Sequence, residues 1–461
     1  MSSISDNGRA ASWLWLALLA TIVAMLGGSS RADAMQNVAL RPLLALLLVP
    51  TLYYLTTAKL REARFLLVLL GLLGLWVAIQ IIPLPPSLWQ ALPERNLIAE
   101  LDQAVGLGDA WRPISMVPTR GWNALAGFIV PVTAFLAALA FCNNRSRLLL
   151  LLLAALGIAD ALLGVLQALS GSNSALYFYA VTNEDSSVGI FANENHSAVF
   201  SAIAMLIIAR LGVTSKAVKE AAWLQFVYPP AFLLVLLSVL VSGSRGGLIV
   251  GVLSLVSCGL ILLLSTRRGG GRANRGRLER WLANHPRTLL GVFGVVIFGL
   301  IAAFFALDRA PGLEDILAES PIEDLRIRLW PVLEGMIGTV WIAGVGFGAF
   351  EEFYHIYEPT ELLLPSYVNN AHNDWAQFVI EGGIPAVLLL VALLGWVTLT
   401  LRKLLQESEY GLVNVIFWGA IFAIISAASV VDYPLRTPTF QLIAIWLLVA
   451  LAMDRTVASR K

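Results

Sequence analysis

Unbroken apolar stretches of about 20 residues recur along the whole chain, and they restrict its fold more than any other feature. A segment of that length spans a bilayer as a helix, because lipid offers backbone N–H and C=O groups no partner outside the helix itself. Twelve such runs are readable, over about 11–28, 37–56, 65–85, 122–141, 148–169, 193–212, 222–241, 245–265, 288–307, 384–401, 413–431 and 438–453. Two carry proline, Pro42 near one start and Pro229-Pro230 inside another, which membrane helices tolerate. The chain reads as one integral, all-α polytopic membrane domain over 1–461. It has about 12 transmembrane helices and a large helical loop at 308–383, between the ninth and tenth runs. Composition agrees: 58% of residues are apolar and 13% charged, where soluble domains have about 45–50% and 25%.

Lysine and arginine set the orientation. One alternating set of connecting segments, with both termini, holds 21 of the 31 basic residues, so that side is cytoplasmic. About 22 of the 30 acids fall on the opposite, outer side. The Gly/Arg-rich stretch Arg267–Arg287 reads as a basic tether near anionic lipid. Ala32-Asp33-Ala34 follows the first run as a signal-peptidase-like site; retention of the run as a first helix is the reading adopted. A net charge of +1 gives no reason to expect a nucleic-acid partner. Cys142 and Cys258 read as structural thiols. No nucleotide-binding motif faces the cytoplasm, so outer-side chemistry needs a substrate that brings its own leaving group.

Residues with chemical capacity gather in the outer segments. Arg245 follows Ser242-Gly243-Ser244 in a turn too short to leave the bilayer surface, with Gly246 and Gly247 at a helix start. Such an arginine either binds an anion beside the helix amides or snorkels to the interface. Arg326 and Arg328 stand two apart, about 200° on a helix, so one of them faces a shared site. Pairing with Glu323 or Asp324 is the equal alternative for both. His372 lies between Asn369-Asn370 and a helix entry, where the helix N-terminus favours the neutral ring. A neutral imidazole there suits a general base on a hydroxyl; a structural histidine is the alternative. Asp160, inside the fifth run, is either functional or a helix–helix hydrogen bond. Arg41 is accounted for by snorkelling. Glu352 and His355 have metal-ligand spacing without a second copy, and Gly344-x-Gly346-x-Gly348 lacks a βαβ context. No metal or cofactor is expected.

Five stretches resemble the O-antigen ligase/polymerase superfamily of bacterial polysaccharide enzymes. They are Ile114-Ser115-Met-Val-Pro118-Thr119; Gly189-Ile-Phe191-Ala-Asn193-Glu-Asn195; Ser242-Gly243-Ser244-Arg245-Gly246-Gly247; Arg326 four residues before Trp330, followed by the glycine-rich turn; and His372-Asn373-Asp374-Trp375 with Glu381-Gly382-Gly383. The last is the most specific. One departure stands out: relatives often have proline before the glycine-rich turn, where this chain has Trp341-Ile342.

The resemblance implies a GT-C type membrane glycosyltransferase of the bacterial inner membrane, with its active site in the periplasm. The donor would be an undecaprenyl diphosphate-linked glycan. The acceptor would be a lipid A–core sugar hydroxyl in the ligases, a second carrier-linked glycan in the polymerases, or a protein hydroxyl in a third branch. Ligase chemistry there is metal-independent and inverting. The family's two critical arginines fall on Arg245 and Arg326 and its histidine on His372; Arg120 is a softer match. Arg328 is second choice for the diphosphate, and Asn373 would orient the ring or the acceptor. Ligase is the preferred reading and polymerase the alternative, with the protein-directed transferase third. A 12-helix transporter is the rival from another class; it would use the same intramembrane charges, but the halves show no hydropathy symmetry.

Overall fold

The computed structural model describes residues 6–142, 146–172, 174–184, 186–214, 224–267, 291, 294–295, 298–299, 321–363, 368–408 and 410–458. The basic tether, nearly all of the ninth apolar run and the start of the large loop lie outside them.

The chain begins with α1 (Asp6–Leu26), α2 (Gln36–Tyr54), α3 (Thr57–Glu62) and α4 (Arg64–Ile79). A small unit follows, of β1 (Pro83–Leu84), α5 (Pro86–Trp89), α6 (Asn96–Ala104) and β2 (Arg112–Pro113). Next come α7 (Pro118–Gly127), α8 (Ile129–Phe141), α9 (Ser146–Ser170), α10 (Glu194–Thr214), α11 (Leu224–Val241) and α12 (Arg245–Arg267). The large loop contributes α13 (Pro321–Val340) and α14 (Phe350–Tyr357), before α15 (Asp374–Glu407), α16 (Gly411–Val431) and α17 (Pro438–Ala458). Among the described residues the architecture is all-α apart from the two-residue strands β1 and β2. Among the described residues, eight spans are long and apolar enough to cross a membrane, and three shorter apolar helices, Ser12–Leu26, Arg64–Ile79 and Phe226–Val241, coincide with further runs.

α10 is the innermost helix, packed by α9, α11, α12 and α16. Its residues allow this. Ser197, Ala198, Ser201, Ala202 and Ala204 are small, and small residues let membrane helices approach closely. At Gly157 of α9 any side chain would collide with Ala204. Ser254 of α12 donates to the Ala202 carbonyl at 2.7 Å. Around this centre, α17 packs on α8 and α9, and α15 packs on α4, α16 and α17. Asp160, fully buried in α9, accepts from Ile190 N–H at 2.8 Å and from Ser197 Oγ at 3.0 Å. Both oxygens are occupied, so of the two readings it takes the structural one, a polar tie between α9 and the entry to α10.

The tenth apolar run differs from its expected bounds. Its helix begins at Asp374, ten residues before the run does, because Asn373 caps it by accepting from Ala376 N–H at 2.9 Å. The helix then kinks at Gly383, whose φ of 62° is open to glycine and strained for other residues. The kink lets Ile384 N–H donate to Ile342 at 3.2 Å, so the glycine-rich turn docks there.

Candidate active site

Two stretches of the large loop meet at one side chain. Gln80, at the end of α4, donates to the carbonyls of Ala343 and Glu381 at 3.1 and 2.9 Å and accepts from Phe347 N–H at 3.2 Å. The glycine-rich turn is held from both sides. Val345 and Gly346 N–H donate to Ile380 and Glu381, while the Val345 carbonyl accepts from Met116 N–H at 2.8 Å. Gly346 has φ of 98°, and a side chain there would strike Ser115. The stretches around 114–119, 344–348 and 381–383 thus interlock as one platform.

Beside it, the six-residue turn between α16 and α17 forms a polar hub. Asp432 is buried, yet its carboxylate has four neighbours. Asn195 Nδ2 donates to Oδ2 at 2.6 Å, and Tyr433 N–H donates to Oδ1 at 2.9 Å. Arg326 Nη2 lies 3.7 Å from Oδ2 and His196 Nε2 3.7 Å from Oδ1. Asn195 Oδ1 in turn accepts from Ser244 Oγ at 2.5 Å, which draws the Arg245 turn toward the hub. The Asp432 carbonyl accepts from Asp374 N–H at 3.2 Å, which brings in the start of α15. Tyr433 stands between two imidazoles, edge-on to His372 at 4.9 Å and to His196 at 5.4 Å between ring centroids.

His372 has φ of 49°, a backbone region that residues with a side chain seldom occupy and that recurs at functional sites. The strain is held by its neighbours: Gln377 accepts from Ala371 N–H at 3.0 Å and donates to Asn370 Oδ1 at 3.2 Å, while Asn373 is fixed as the helix cap. Burial pushes the His372 imidazole below its ordinary value; Asp432 opposes this, and Arg326 and His196 reinforce it. Burial alone would raise the Asp432 carboxyl, but His196, His372 and Arg326 outweigh it and hold the group well below the usual carboxylate range. His372 Nδ1, Arg326 Nε and both His196 nitrogens are buried without hydrogen-bond partners among the described residues.

The six residues singled out by sequence separate into groups. Arg326 lies 3.7 Å from Asp432, and His372 is close enough to feel its charge. Arg245 opens α12, half-buried, one residue past the Ser244 tie. Arg328 points elsewhere and donates to the Glu361 carbonyl at 3.0 Å, so the helical geometry does divide the arginine pair. Arg120 is ion-paired with Glu351 and Glu352 at 3.3 and 2.6 Å. That pairing also engages the metal-spaced Glu352, and His355 lies 3.1 Å from Glu358. Sequence reasoning missed His196, Asp432, Tyr433 and Arg436. The last pairs with fully buried Glu381 at 2.6 Å and lies 3.5 Å from Asp374. A signal was present: Asp432 and Arg436 are opposite charges in a very short turn between two apolar runs, the same reasoning that singled out Arg245.

A cavity of about 570 Å³ lies next to this cluster and not within it. It meets the hub through Asn370, Asp374 and Arg436 and holds Arg120 at its polar end. It runs down between apolar walls that include Leu73 of α4 and Leu394 of α15. His372, Arg326 and Arg245 do not line it.

Fold and cluster together define a helical membrane protein with a buried, incompletely paired polar centre at one end of its bundle. Residues 230–391 match the family model described as O-antigen ligase, and the match supports the O-antigen ligase superfamily. The match supports an enzyme of the ligase or polymerase type in general. The matched segment holds Arg245, Arg326 and His372; His196 and Asp432 fall outside it. No curated protein matches the chain.

Proposed function

We propose that the protein transfers glycan from an undecaprenyl diphosphate carrier to a lipid A–core sugar hydroxyl, at the outer face of the bacterial inner membrane. The observation that carries this reading is the grouping of His372, Arg326 and Asp432, with the Arg245 turn tied in through Ser244 and Asn195.

The chemistry is a direct displacement. The acceptor oxygen attacks the anomeric carbon, its proton passes to neutral His372, and the bond from that carbon to the phosphate oxygen breaks. The electron pair leaves on the diphosphate. Arg326 and Arg245 hold the diphosphate and stabilise the charge that develops on it. Asp432 stabilises the imidazolium as it forms. Attack from the face opposite the leaving group inverts the centre. The adjoining cavity, polar at one end and apolar along its length, suits a lipid-linked substrate. Arg120 and Asn373 act as framework, through the Glu351–Glu352 pairing and the helix cap.

The test is reconstituted transfer. Purified protein is mixed with undecaprenyl diphosphate-linked glycan and core lipid A, with a chelator present, beside Arg245→Ala and His372→Ala. Glycan on lipid A from the wild type alone is the expected result. Longer carrier-linked glycan with bare lipid A would replace the ligase by a polymerase. An active His372→Ala variant would remove the base assignment.

A further inference from the structure

The unit between α4 and α7 is built inside out. Its helix α6 turns charge inward: Asp102 is buried and accepts from Arg112, and Arg95, at the cap, is 2% exposed. Its leucines point outward. Leu97, Leu101 and the cap residue Val105 recur every fourth position, within about 80° of one another on the helix, and each is more than half exposed. Leu88, Leu107 and Trp111 of the same unit are also more than half exposed. Asn96, Glu100 and Gln103 lie along the other exposed flank. In water this arrangement would leave a large apolar patch uncovered while burying ions, the reverse of the usual partition.

Exposed apolar residues also continue along the chain into this unit from α4, an apolar helix that coincides with the third run. On α4, Val68, Leu72 and Leu75 lie on one exposed side, and Ile82 and Leu88 follow. On the return, Trp122 in α7 is 62% exposed. Trp111 and Trp122 are placed as indoles are at the boundary between headgroups and acyl chains.

We infer that α6 is an interfacial helix, lying on the outer leaflet with Leu97, Leu101 and Val105 in the lipid. Its partner is the bilayer surface, and the attachment is apolar. The nearest exposed charges, Glu94, Glu100 and Asp109, are acidic and gain nothing from anionic headgroups. Because β1 pairs with β2 at Pro83–Pro113 and Leu84–Arg112, the anchor also fixes the height of Ser115 and Arg120 above the membrane.

The test needs no substrate and so stands apart from the proposed reaction. Cys142 and Cys258 are buried, so single cysteines in the full-length protein take a nitroxide label selectively. Leu97→Cys and Leu101→Cys sample the apolar stripe; Asn96→Cys and Gln103→Cys sample the polar flank. In phosphatidylethanolamine–phosphatidylglycerol vesicles, dissolved oxygen should dominate collisions at 97 and 101, at a depth of about 5–10 Å. An aqueous nickel chelate should dominate at 96 and 103. The pattern should persist without phosphatidylglycerol. Nickel dominance at 97 and 101 would overturn the inference. So would exclusion of both reagents there, or protection that fades as the protein is diluted in lipid, since these mean a protein cover.

Discussion

Two buried ionic clusters sit at opposite ends of the same helices. At one end Asp454 of α17 accepts from Arg210 of α10 at 2.5 Å, from Ser146 Oγ at 2.5 Å and from Trp418 Nε1 at 3.0 Å. The Arg210 guanidinium lies 4.3 Å from the centre of the Phe417 ring. At the other end Asp432 holds Arg326 and His196 only at 3.7 Å, beside buried nitrogens without partners among the described residues and a histidine with positive φ. The first carboxylate is satisfied by its own bundle, and its ring-covered arginine fits a cluster that joins helices. At the second the carboxylate is also occupied, but the imidazole nitrogens beside it have binding capacity to spare. Buried polar groups left unpaired are rare in native structures and call for a ligand, a strain or a catalytic reason.

The comparison makes opposite predictions for the two ends. His372→Ala should lower transfer by about 10²–10⁴-fold, the usual range for a lost general base, with the thermal midpoint in detergent unchanged. Arg210→Ala should do the reverse. Breaking a buried pair costs about 3–5 kcal/mol, visible as a lower midpoint, while activity per folded molecule persists. Replacing Arg210 and Asp454 together by Met and Leu should recover most of that loss; failure to recover would mean that the pair does more than join helices. Gly346→Ala tests the platform. Strain at a φ of 98° and the clash with Ser115 should lower stability by about 1–3 kcal/mol, read from chemical denaturation.

The smallest effect is the most discriminating. His372 must be neutral to take a proton, so activity is present above its folded pKa and is lost as pH falls through it. Burial first, then Arg326 and His196, keep that value below the ordinary one, and Asp432 works against them. Arg326→Gln should therefore move the acid limb of kcat/KM to higher pH, and Asp432→Asn should move it lower while reducing the rate throughout. Limbs that shift in the same direction would separate His372 from the hub.

The bilayer made the membrane helices legible, since twenty apolar residues leave a chain few options. The same reasoning singled out Arg245 and His372, as polar groups at helix entries. The turn at 432–437 was too short to register as a segment, although its two charges carried the same message. His196 was hidden because it opens an apolar run, and its value comes from Tyr433, more than two hundred residues away. Arg120 read as a ligand group because nothing local marks Glu351 and Glu352 as its partners; their meeting depends on how α7 and α14 approach. Asn373 had a nearer explanation, three residues before Ala376, as a cap.

The two clusters are joined along α10, whose His196 and Arg210 are fourteen residues or about 21 Å apart. A slip of one residue along that helix would displace His196 by about 1.5 Å and swing it through about 100°, away from Asp432. The far pair thus works as the zero mark of a gauge: where Arg210 meets Asp454 determines whether the groups at the other end come level.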